Sequence, residues 1–309
     1  MTNQVPLRPF GKTGEQVSLL CVGGAHMGMC DEETGIRIVH ESIQAGATFM
    51  DNAWEYNSGI SEVRMGKALA MDGYRQKAFL MTKDCAHDRV ASHSLVKLED
   101  SLRRLQTDYL DLWQIHEVVW EADPDRIFAP GGSAEAMLKA KEQGKVRYIG
   151  FTGHKDPDIH RRMLSQGFPW DAVQMPINVF DAHYRSFRNE ILPICQEQGI
   201  AVIGMKSFAS GRVFESGSGI TPSEALRYAM SQPVATVVSG IDSIEVLHQN
   251  LDIARTFTPL TAEEEADVLR RSAKFVDAGD NERHKTTDIY EGAEGRHHND
   301  YPQKFAAAD

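Results

Sequence analysis

Short apolar runs recur along the chain, and longer segments with helical periodicity separate them. The runs have the lengths of buried strands and cover VSLLCV (17–22), ATFM (47–50), AFLMT (78–82), YLDLWQI (109–115), VRYIGF (146–151), AVQM (172–175), AVIGM (201–205) and ATVVSG (235–240). The clearest intervening segment, residues 92–106, places Leu95, Leu98, Leu102 and Leu105 on one helical face. Eight strands that alternate with helices predict a parallel sheet with crossover helices.

The number of strands favours a closed barrel over an open sheet. Eight strands close an α/β (β/α)8 TIM barrel, and no change in composition divides the chain. The alternative is a doubly wound open sheet, but Gly23, Gly24 and Gly28 do not form the GxGxxG motif that is typical of it. Capping motifs mark three helix starts, at Asp156-Pro157, Thr221–Glu224 and Thr261–Glu264. We therefore expect a (β/α)8 barrel.

Two segments are expected to be additions to the barrel. Residues 6–16 contain the turn Gly-Lys-Thr-Gly and predict a short hairpin across the barrel floor. From Asp280 the chain becomes polar and charged, which predicts a tail that lies over the surface or is partly disordered. The expected organisation is one barrel over residues 1–279, including the hairpin and a C-terminal helix, and a polar tail over residues 280–309.

Charge and cysteine content narrow the class of protein. The 309 residues carry a net charge of −11, which argues against a general nucleic-acid or anionic-membrane binder. No apolar run approaches the ~18 residues of a membrane span, and the start lacks a signal-peptide pattern. The four cysteines are scattered without a CxxC pair, so core thiols in a reducing compartment are favoured over a disulfide or metal site. The expected location is cytoplasmic.

Four reactive side chains stand at or just after the ends of successive apolar runs. They are Asp51, Tyr56, Lys83 and His116, and the runs that carry them are separated by roughly one βαβ repeat of about 30 residues. The carboxyl ends of barrel strands form one face, so these side chains are expected to converge. Each alone has an ordinary interpretation: a helix cap, a solvated lysine or a buried core histidine.

Together the carboxylate, the phenol, the amine and the imidazole form a set of groups that can transfer a proton. A cation favours the phenolate of a tyrosine, and Lys83 can supply that charge to Tyr56. Asp51 can hold Lys83 protonated. A neutral His116 can donate a hydrogen bond that polarises a carbonyl oxygen.

Longer motifs around these residues carry a resemblance to a known family. The segment DNAWEYNSGISEVRMGKAL resembles the aldo-keto reductase signature D-x-A-x-x-Y followed by G-x-S/T-E-x-x-x-G-x-A-L, and LEDSLRRLQTDYLDLWQIH resembles its second signature. GKVRYIGFTGH and GIDSIEVLHQNL extend the match over roughly residues 7–255. The resemblance implies a barrel enzyme that reduces aldehydes or ketones with a nicotinamide cofactor, with Tyr56 as proton donor.

The resemblance also implies where the cofactor binds. Thr152 and Gln174 would hold the nicotinamide amide, although Gln174 could instead cap its strand. Gly153 stands where many members have asparagine, and Asn178 or His154 could substitute. The loops after strands seven and eight are expected at the pyrophosphate, and Gln249 and Asn250 resemble the adenine-contacting pair. The expected loop residues are Met205, Lys206, Ser207, Gly211, Arg212, Gly240, Asp242 and Ser243; Lys206 and Arg212 could also be solvated, and the two amides could be surface residues.

One stretch departs from the family pattern. Members that prefer NADPH usually carry a basic residue in the region that corresponds to 242–246, whereas this chain has Asp242 and Glu245 and no base there. A 2′-phosphate would meet like charge. We therefore expect NADP(H) as the family cofactor, with weakened selectivity and NAD(H) competent.

The substrate is expected to be a small carbonyl compound in a mostly apolar pocket. The candidate lining residues are His26, Met27, Trp54, Glu117, Trp120 and Phe208, of which Trp120 and Phe208 could equally be core residues. One alternative function is a metal-dependent hydrolase, which the absence of HxH and HExxH spacing argues against, so no metal is expected. Another is a cofactor-binding regulatory or scaffold protein with little turnover. The oligomeric state is open.

Overall fold

A computed structural model describes residues 4–299, and its centre is a closed barrel of eight parallel strands. The barrel order follows the chain, and the last strand closes on the first. The strands are β3 (Leu20–Gly23), β4 (Phe49–Asp51), β5 (Phe79–Asp84), β6 (Leu110–Ile115), β7 (Val146–Thr152), β8 (Ala172–Pro176), β9 (Ala201–Met205) and β10 (Thr236–Gly240). Each of the eight apolar runs contributes one strand, which confirms the predicted fold.

Helices surround the barrel and connect its strands. Their bounds are α1 (Glu32–Gln44), α2 (Ile60–Ala70), α3 (Ala91–Leu105), α4 (Asp123–Phe128), α5 (Ser133–Glu142), α6 (Pro157–Leu164), α7 (Phe187–Glu190), α8 (Leu192–Gln198), α9 (Arg212–Glu215), α10 (Pro222–Ser231), α11 (Ile244–Arg255), α12 (Ala262–Ser272), α13 (Arg283–Thr286) and α14 (Ala293–His298). The caps predicted at Asp156, Thr221 and Thr261 are present, the last two as full capping boxes. Between residues 4 and 299 no helix is both long and apolar enough to cross a membrane.

A hairpin covers the amino end of the barrel, as predicted. Its strands are β1 (Leu7–Pro9) and β2 (Gln16–Ser18), so the first apolar run is divided between the hairpin and β3. Ser18 forms the corner, because its hydroxyl donates to Leu20 O at 2.8 Å and accepts from Thr48 N at 3.0 Å. The ring of Phe10 then fills the barrel floor.

The C-terminal segment, residues 280–299, folds across the carboxyl ends of the strands. It contains α13 and α14, and several of its charged side chains are buried, including Glu282 and Lys285. Lys285 Nζ contacts Asp181 at 2.7 Å and Glu282 at 2.6 Å, while Asn178 Nδ2 donates to Glu282 at 2.9 Å. Buried ion pairs of this kind require close partners to offset desolvation. The described part of the tail is therefore packed on the barrel; the predicted division at residue 280 stays a prediction, and residues 300–309 lie outside the described residues.

Candidate active site

The strand ends bring the four predicted side chains together. Asp51 ends β4, Lys83 lies near the end of β5, and His116 directly follows β6. Lys83 Nζ donates to a carboxylate oxygen of Asp51, to Asn52 O at 2.7 Å and to the Tyr56 hydroxyl at 3.3 Å. The rings of Tyr56 and His116 meet edge to face, with centroids 5.7 Å apart.

A strained turn after β4 returns Tyr56 to the site. Asn57 and Ser58 both have positive φ, of 52° and 55°, and Gly59 follows with φ 86°. Consecutive non-glycine residues in this region are uncommon and cluster at functional sites. At the base of the same loop, the Asn52 side chain accepts a hydrogen bond from Ala53 N at 2.9 Å. The turn places the phenol beside Lys83 rather than in solvent.

Burial and neighbouring charges both act on the Tyr56 phenol. Burial raises the pKa of Tyr56 well above 10, and the carboxylate of Asp51 raises it further. Burial, followed by the charge of Asp51, sets this direction, and the prediction that Lys83 stabilises a phenolate of Tyr56 stays a prediction. Burial also raises the pKa of Asp51, against the opposing effect of Lys83. The phenol is consequently held in its protonated form.

His116 lies in a compact polar surrounding. Its Nδ1 is 2.7 Å from Glu55 Oε1 and 3.3 Å from the Cys85 thiol. Burial lowers the pKa of His116 to about 4, although Glu55 acts in the opposite direction. The buried guanidinium of Arg89 donates to His116 O at 2.9 Å and to Glu117 O at 2.8 Å, which supports the turn at Glu117 with its φ of 47°.

The polar surrounding of His116 extends to two further groups. Glu55 Oε2 accepts from His87 Nε2 at 3.2 Å, and Glu117 Oε2 lies 4.0 Å from the same nitrogen. Burial and the charge of Glu55 raise the pKa of Glu117 to about 7, and Gly292 N donates to it at 2.7 Å. Sequence reasoning placed Glu117 in the substrate pocket but missed Glu55 and His87. The signal for Glu55 was an acid inside the motif, next to Tyr56.

The side chains around His116 also have types that bind zinc. Donor atoms of Glu55, Cys85, His87 and His116 lie within 4.8 Å of one another. In the structure these atoms pair with each other through the hydrogen bonds described above, and burial raises the pKa of the Cys85 thiol. We assign no metal to the group, and the expected absence of a metal stays a prediction.

A cavity of about 270 Å³ opens beside Tyr56 and Asp51 at the carboxyl ends of the strands. Six of the predicted cofactor residues line it: Gln174, Met205, Lys206, Ser207, Gly211 and Gly240. His26, predicted for the substrate pocket, also borders the cavity and lies so close to Gly240 that a Cβ there would be 2.3 Å from the imidazole. The His26 Nδ1 atom is buried and has no hydrogen-bond partner in the described part of the chain.

The loop after β9 is strongly turned where it meets the cavity. Lys206, Ala209 and Ser210 have positive φ of 53°, 46° and 57°, followed by Gly211 at 89°. Burial lowers the pKa of Lys206 to about 8, and its Nζ lies 4.4 Å from the Tyr290 ring centroid in the C-terminal segment. Arg212 instead pairs with Glu215 at 2.7 Å. Neither cation therefore stands free at the loop.

The residues predicted at the nicotinamide amide lie on neighbouring strands. Thr152 and Gln174 are paired in the β7–β8 register, and both are buried. Gly153 has a steric reason to depart from asparagine, since a Cβ there would be 2.3 Å from Val118 O. The suggested substitutes are engaged by the C-terminal segment: Asn178 bonds to Glu282, and His154 Nδ1 donates to His284 O at 3.0 Å.

The predicted adenosine-side residues lie at the start of α11. Ser243 caps this helix by accepting from Val246 N at 3.3 Å, and Asp242 is exposed beside it. Gln249 is exposed, whereas Asn250 is buried and donates to Ser239 Oγ at 3.0 Å. Of the predicted amide pair, only Gln249 faces solvent.

Trp54, predicted for the substrate pocket, does not line the cavity beside Tyr56. The Trp54 ring lies 3.5 Å from Lys97 Nζ and 4.9 Å from the Arg104 guanidinium, and its Nε1 donates to Asp100 at 3.4 Å. It borders a second cleft of about 460 Å³ together with Glu55 and Gly292. Cation–π contacts on the α3 face thus turn this ring away from the four reactive side chains.

Three other candidates for the substrate pocket have different positions. Trp120 is buried, and Asp123 accepts a hydrogen bond from its backbone N at 2.9 Å. Met27 belongs to the main apolar core, whereas Phe208 does line the cavity. Their assignment to a substrate pocket stays a prediction.

Comparisons with known proteins agree with this arrangement. Residues 19–224 match the family model described as the Aldo/keto reductase family. Aldo-keto reductase YhdN of Bacillus subtilis is 31% identical over 200 residues, which cover 62% of this chain and 56% of that protein, little more than half its length. L-galactose dehydrogenase of Arabidopsis thaliana is 28% identical over 226 residues, 69% of each. The holo form of aldo-keto reductase AKR11C1 from Bacillus halodurans superposes with a TM-score of 0.74 at 29% identity, covering 87% of this chain and 96% of that one.

Proposed function

Because the chain belongs to the aldo/keto reductase family, we propose that it reduces an aldehyde or ketone to an alcohol with a nicotinamide cofactor. One observation carries the proposal: the Tyr56 hydroxyl, at the wall of the cavity, lies 3.3 Å from Lys83 Nζ. A phenol that is kept protonated beside a buried cation has the form needed to give a proton to a developing alkoxide. The substrate class is a small carbonyl compound.

In this proposal each of the four side chains has a separate role. Tyr56 donates the proton to the substrate oxygen. Lys83 stabilises the phenolate that remains after the transfer, and Asp51 holds Lys83 charged and in place by its direct contact. His116 completes the polar wall around the substrate oxygen.

The residues around the cavity fit a nicotinamide dinucleotide. Gln174 offers a buried polar group at the cavity wall, and the buried Thr152 is paired with it on the neighbouring strand. The strained β9 loop brings Ser207 and Gly211 to the wall. We propose that Met205, Lys206, Ser207, Gly211, Gly240 and the capped start of α11 bind the remaining length. When bound, the cofactor supplies the hydride.

Selectivity between the two nicotinamide cofactors is proposed to be weak. Asp242 is exposed at the position where NADPH-preferring relatives carry a base, and Arg212 already pairs with Glu215. Lys206 faces the C-terminal segment through Tyr290. A 2′-phosphate would therefore gain little local charge compensation, and NADH is expected to serve.

Cofactor oxidation across a panel of aldehydes and ketones tests the function. The wild type should turn over at least one class, and Tyr56→Phe should lower kcat by a factor on the order of 10³ while cofactor binding, followed by fluorescence, is retained. Unchanged turnover in Tyr56→Phe would contradict the role of the phenol. Tight cofactor binding by the wild type without turnover would favour a regulatory or scaffold role instead.

A further inference from the structure

The position of Glu55 has a chemical consequence for His116. Glu55 Oε1 lies 2.7 Å from His116 Nδ1, and the Cys85 thiol lies 3.3 Å from the same nitrogen. At 2.7 Å a carboxylate oxygen and a bare ring nitrogen repel each other, which favours a proton shared between Glu55 and His116. With a single proton, the carboxylate accepts from Nδ1–H, and Nε2 of the imidazole carries no hydrogen. In that state His116 cannot donate to a carbonyl oxygen.

A second proton on the pair changes what Nε2 can do. The proton produces either an imidazolium beside the carboxylate or a carboxylic acid that donates to Nδ1, and Nε2 carries a hydrogen in both forms. We propose that Glu55 is a positioning residue for His116 and that the two side chains bind protons as one unit. His116 then donates to a carbonyl substrate only when this unit holds two protons. This inference rests on the proposed carbonyl reduction.

His87 fixes the orientation of Glu55 in this unit. Its Nδ1 is buried and has no hydrogen-bond partner among residues 4–299, so the hydrogen of a neutral ring lies on Nε2 and points to Glu55 Oε2 at 3.2 Å. The two carboxylate oxygens are thus assigned to different rings, one to His87 and one to His116. Glu55 also borders the second cleft, where its side chain is 21% exposed, which gives the unit a contact with solvent.

The titration of the unit occurs among several other charged or titratable groups. Its own loop contributes Tyr56, the β5 strand and loop contribute Lys83, Cys85 and His87, and the turn after β6 contributes Glu117. His154 and Lys206 face the same region from the loops after β7 and β9, and Glu291 and Glu294 of the C-terminal segment pair with Lys155 and Lys97. Burial holds the pKa of His116 near 4, so the second proton leaves the unit as the pH rises toward neutrality.

The substitution Glu55→Gln reverses the state of His116. His87 continues to donate from Nε2, so the amide oxygen takes the His87 side and the amide NH₂ faces His116. That NH₂ donates to Nδ1, and a neutral His116 then carries its hydrogen on Nε2. The variant should therefore hold His116 as a donor without an extra proton.

The pH profile of carbonyl reduction separates this role from a merely structural one. In the wild type kcat/KM should fall about tenfold for each unit of pH between 6 and 9, because the doubly protonated unit becomes scarcer. In Glu55→Gln the profile should be flat over that range, and Glu55→Asp should restore the slope. Glu117→Gln is the comparison for the second buried acid, whose Oε2 lies 4.0 Å from His87 Nε2 and whose pKa of about 7 falls inside the tested range. The slope should remain in this variant, because the Glu55–His116 unit is intact.

Two results would overturn the inference: a flat wild-type profile with normal turnover, or a Glu55→Gln profile with the wild-type slope. Absence of turnover with any carbonyl would instead reject the proposed function. Nitrogen-15 NMR of labelled histidine tests the unit without turnover, with the His116 signals assigned by their loss in His116→Asn. At pH 7 the wild type should show a protonated Nδ1 and a bare Nε2, and Glu55→Gln the opposite; identical tautomers in both proteins would contradict the inference.

Discussion

The two ends of the barrel are built from the same strands but from different kinds of side chain. At the amino end Phe10 lies against Phe49, Phe79 and Tyr148, with ring centroids 5.0 to 6.1 Å apart. At the carboxyl end the strands terminate in buried charges, such as Lys83, and in turns with positive φ. The amino end is a packed cluster of aromatic rings, and the carboxyl end holds buried charged side chains.

The difference shows that the residues that stabilise the fold and the residues proposed for the chemistry lie at opposite ends of the barrel. Close-packed aromatic rings stabilise the fold in proportion to buried area and tolerate few gaps. Buried charges and strained turns cost free energy, and they persist where the surrounding structure supports them for function. Substitutions at the floor should therefore change stability first, and substitutions at the carboxyl end should change turnover first.

Replacement of Lys83 by methionine should show the largest effect on turnover. The phenolate of Tyr56 loses its cation, so kcat should fall by roughly 10³-fold. Asp51 can take up a proton because burial already raises its pKa, so the free energy of unfolding should change far less. Steady-state kinetics and urea denaturation of the same preparation measure both. A stability loss comparable to that of a floor variant would show that the charge pair holds the fold.

Replacement of Phe10 by alanine should give the opposite pattern. The ring is fully buried among three aromatic neighbours, so its removal should lower the free energy of unfolding by about 3–5 kcal/mol. The kcat of the remaining folded protein should stay near that of the wild type. The milder Phe10→Leu serves as the matched control. A large decrease in kcat at unchanged stability would contradict the division between the two ends.

Glu282 gives a pH-dependent contribution at the carboxyl end. Burial alone would raise its pKa, but His284 and Lys285 outweigh it and lower the pKa to about 2. A lowered pKa stabilises the fold above the ordinary value of 4.5, and this contribution is lost as the pH falls toward 2. The wild type should exceed Glu282→Gln in stability by up to about 3 kcal/mol at pH 7, with a smaller difference at pH 3.

Denaturation of both proteins at several pH values measures this dependence. Asp181→Asn is the comparison, because burial raises the pKa of Asp181 to about 6. The contribution of Asp181 therefore has the opposite sign and declines as the pH rises from 3.8 to 6. A wild-type advantage over Glu282→Gln that stays constant from pH 7 to pH 3 would rule out the titration of Glu282 as its source.

The smallest expected effect is that of Asp242→Arg, beside the start of α11. An exposed base at this position should meet the 2′-phosphate of NADPH and improve its dissociation constant by about tenfold, which is 1.4 kcal/mol, with little change for NADH. Asp242→Asn separates loss of the acid from gain of the base. The unfolding free energy should not change. Strong NADPH preference in the wild type would instead show that another cation serves the phosphate.

Most of the fold could be predicted from the sequence because its signals are local. Each barrel strand is a short apolar run, and Leu98, Leu102 and Leu105 mark the buried face of α3. The division of the first run at Ser18 could not be predicted, since it depends on hydrogen bonds to Thr48 and Phe49, thirty positions away. Local periodicity contains no information about such a corner.

The site was predictable where strand ends deliver side chains and unpredictable where loops do. Asp51, Lys83 and His116 converge because parallel strands share one edge. The direction of the Trp54 ring depends on cation–π contacts with α3, and the fixed orientation of Glu55 depends on His87. The buried charges of residues 282–285 had the composition of a solvated tail, because only their partners on the barrel make burial possible.

The packing of the C-terminal segment divides the synthesis of the protein into two stages. All eight barrel strands are complete at Gly240, so the barrel can close on the ribosome before residues 280–299 have been made. Until then Glu117 lacks the hydrogen bond from Gly292 N, and Asp181 lacks its ion pair with Lys285 and keeps the hydrogen bonds from Phe187 N and Arg188 N. A barrel that closes at that stage would gain these electrostatic partners only when α13 and α14 are added.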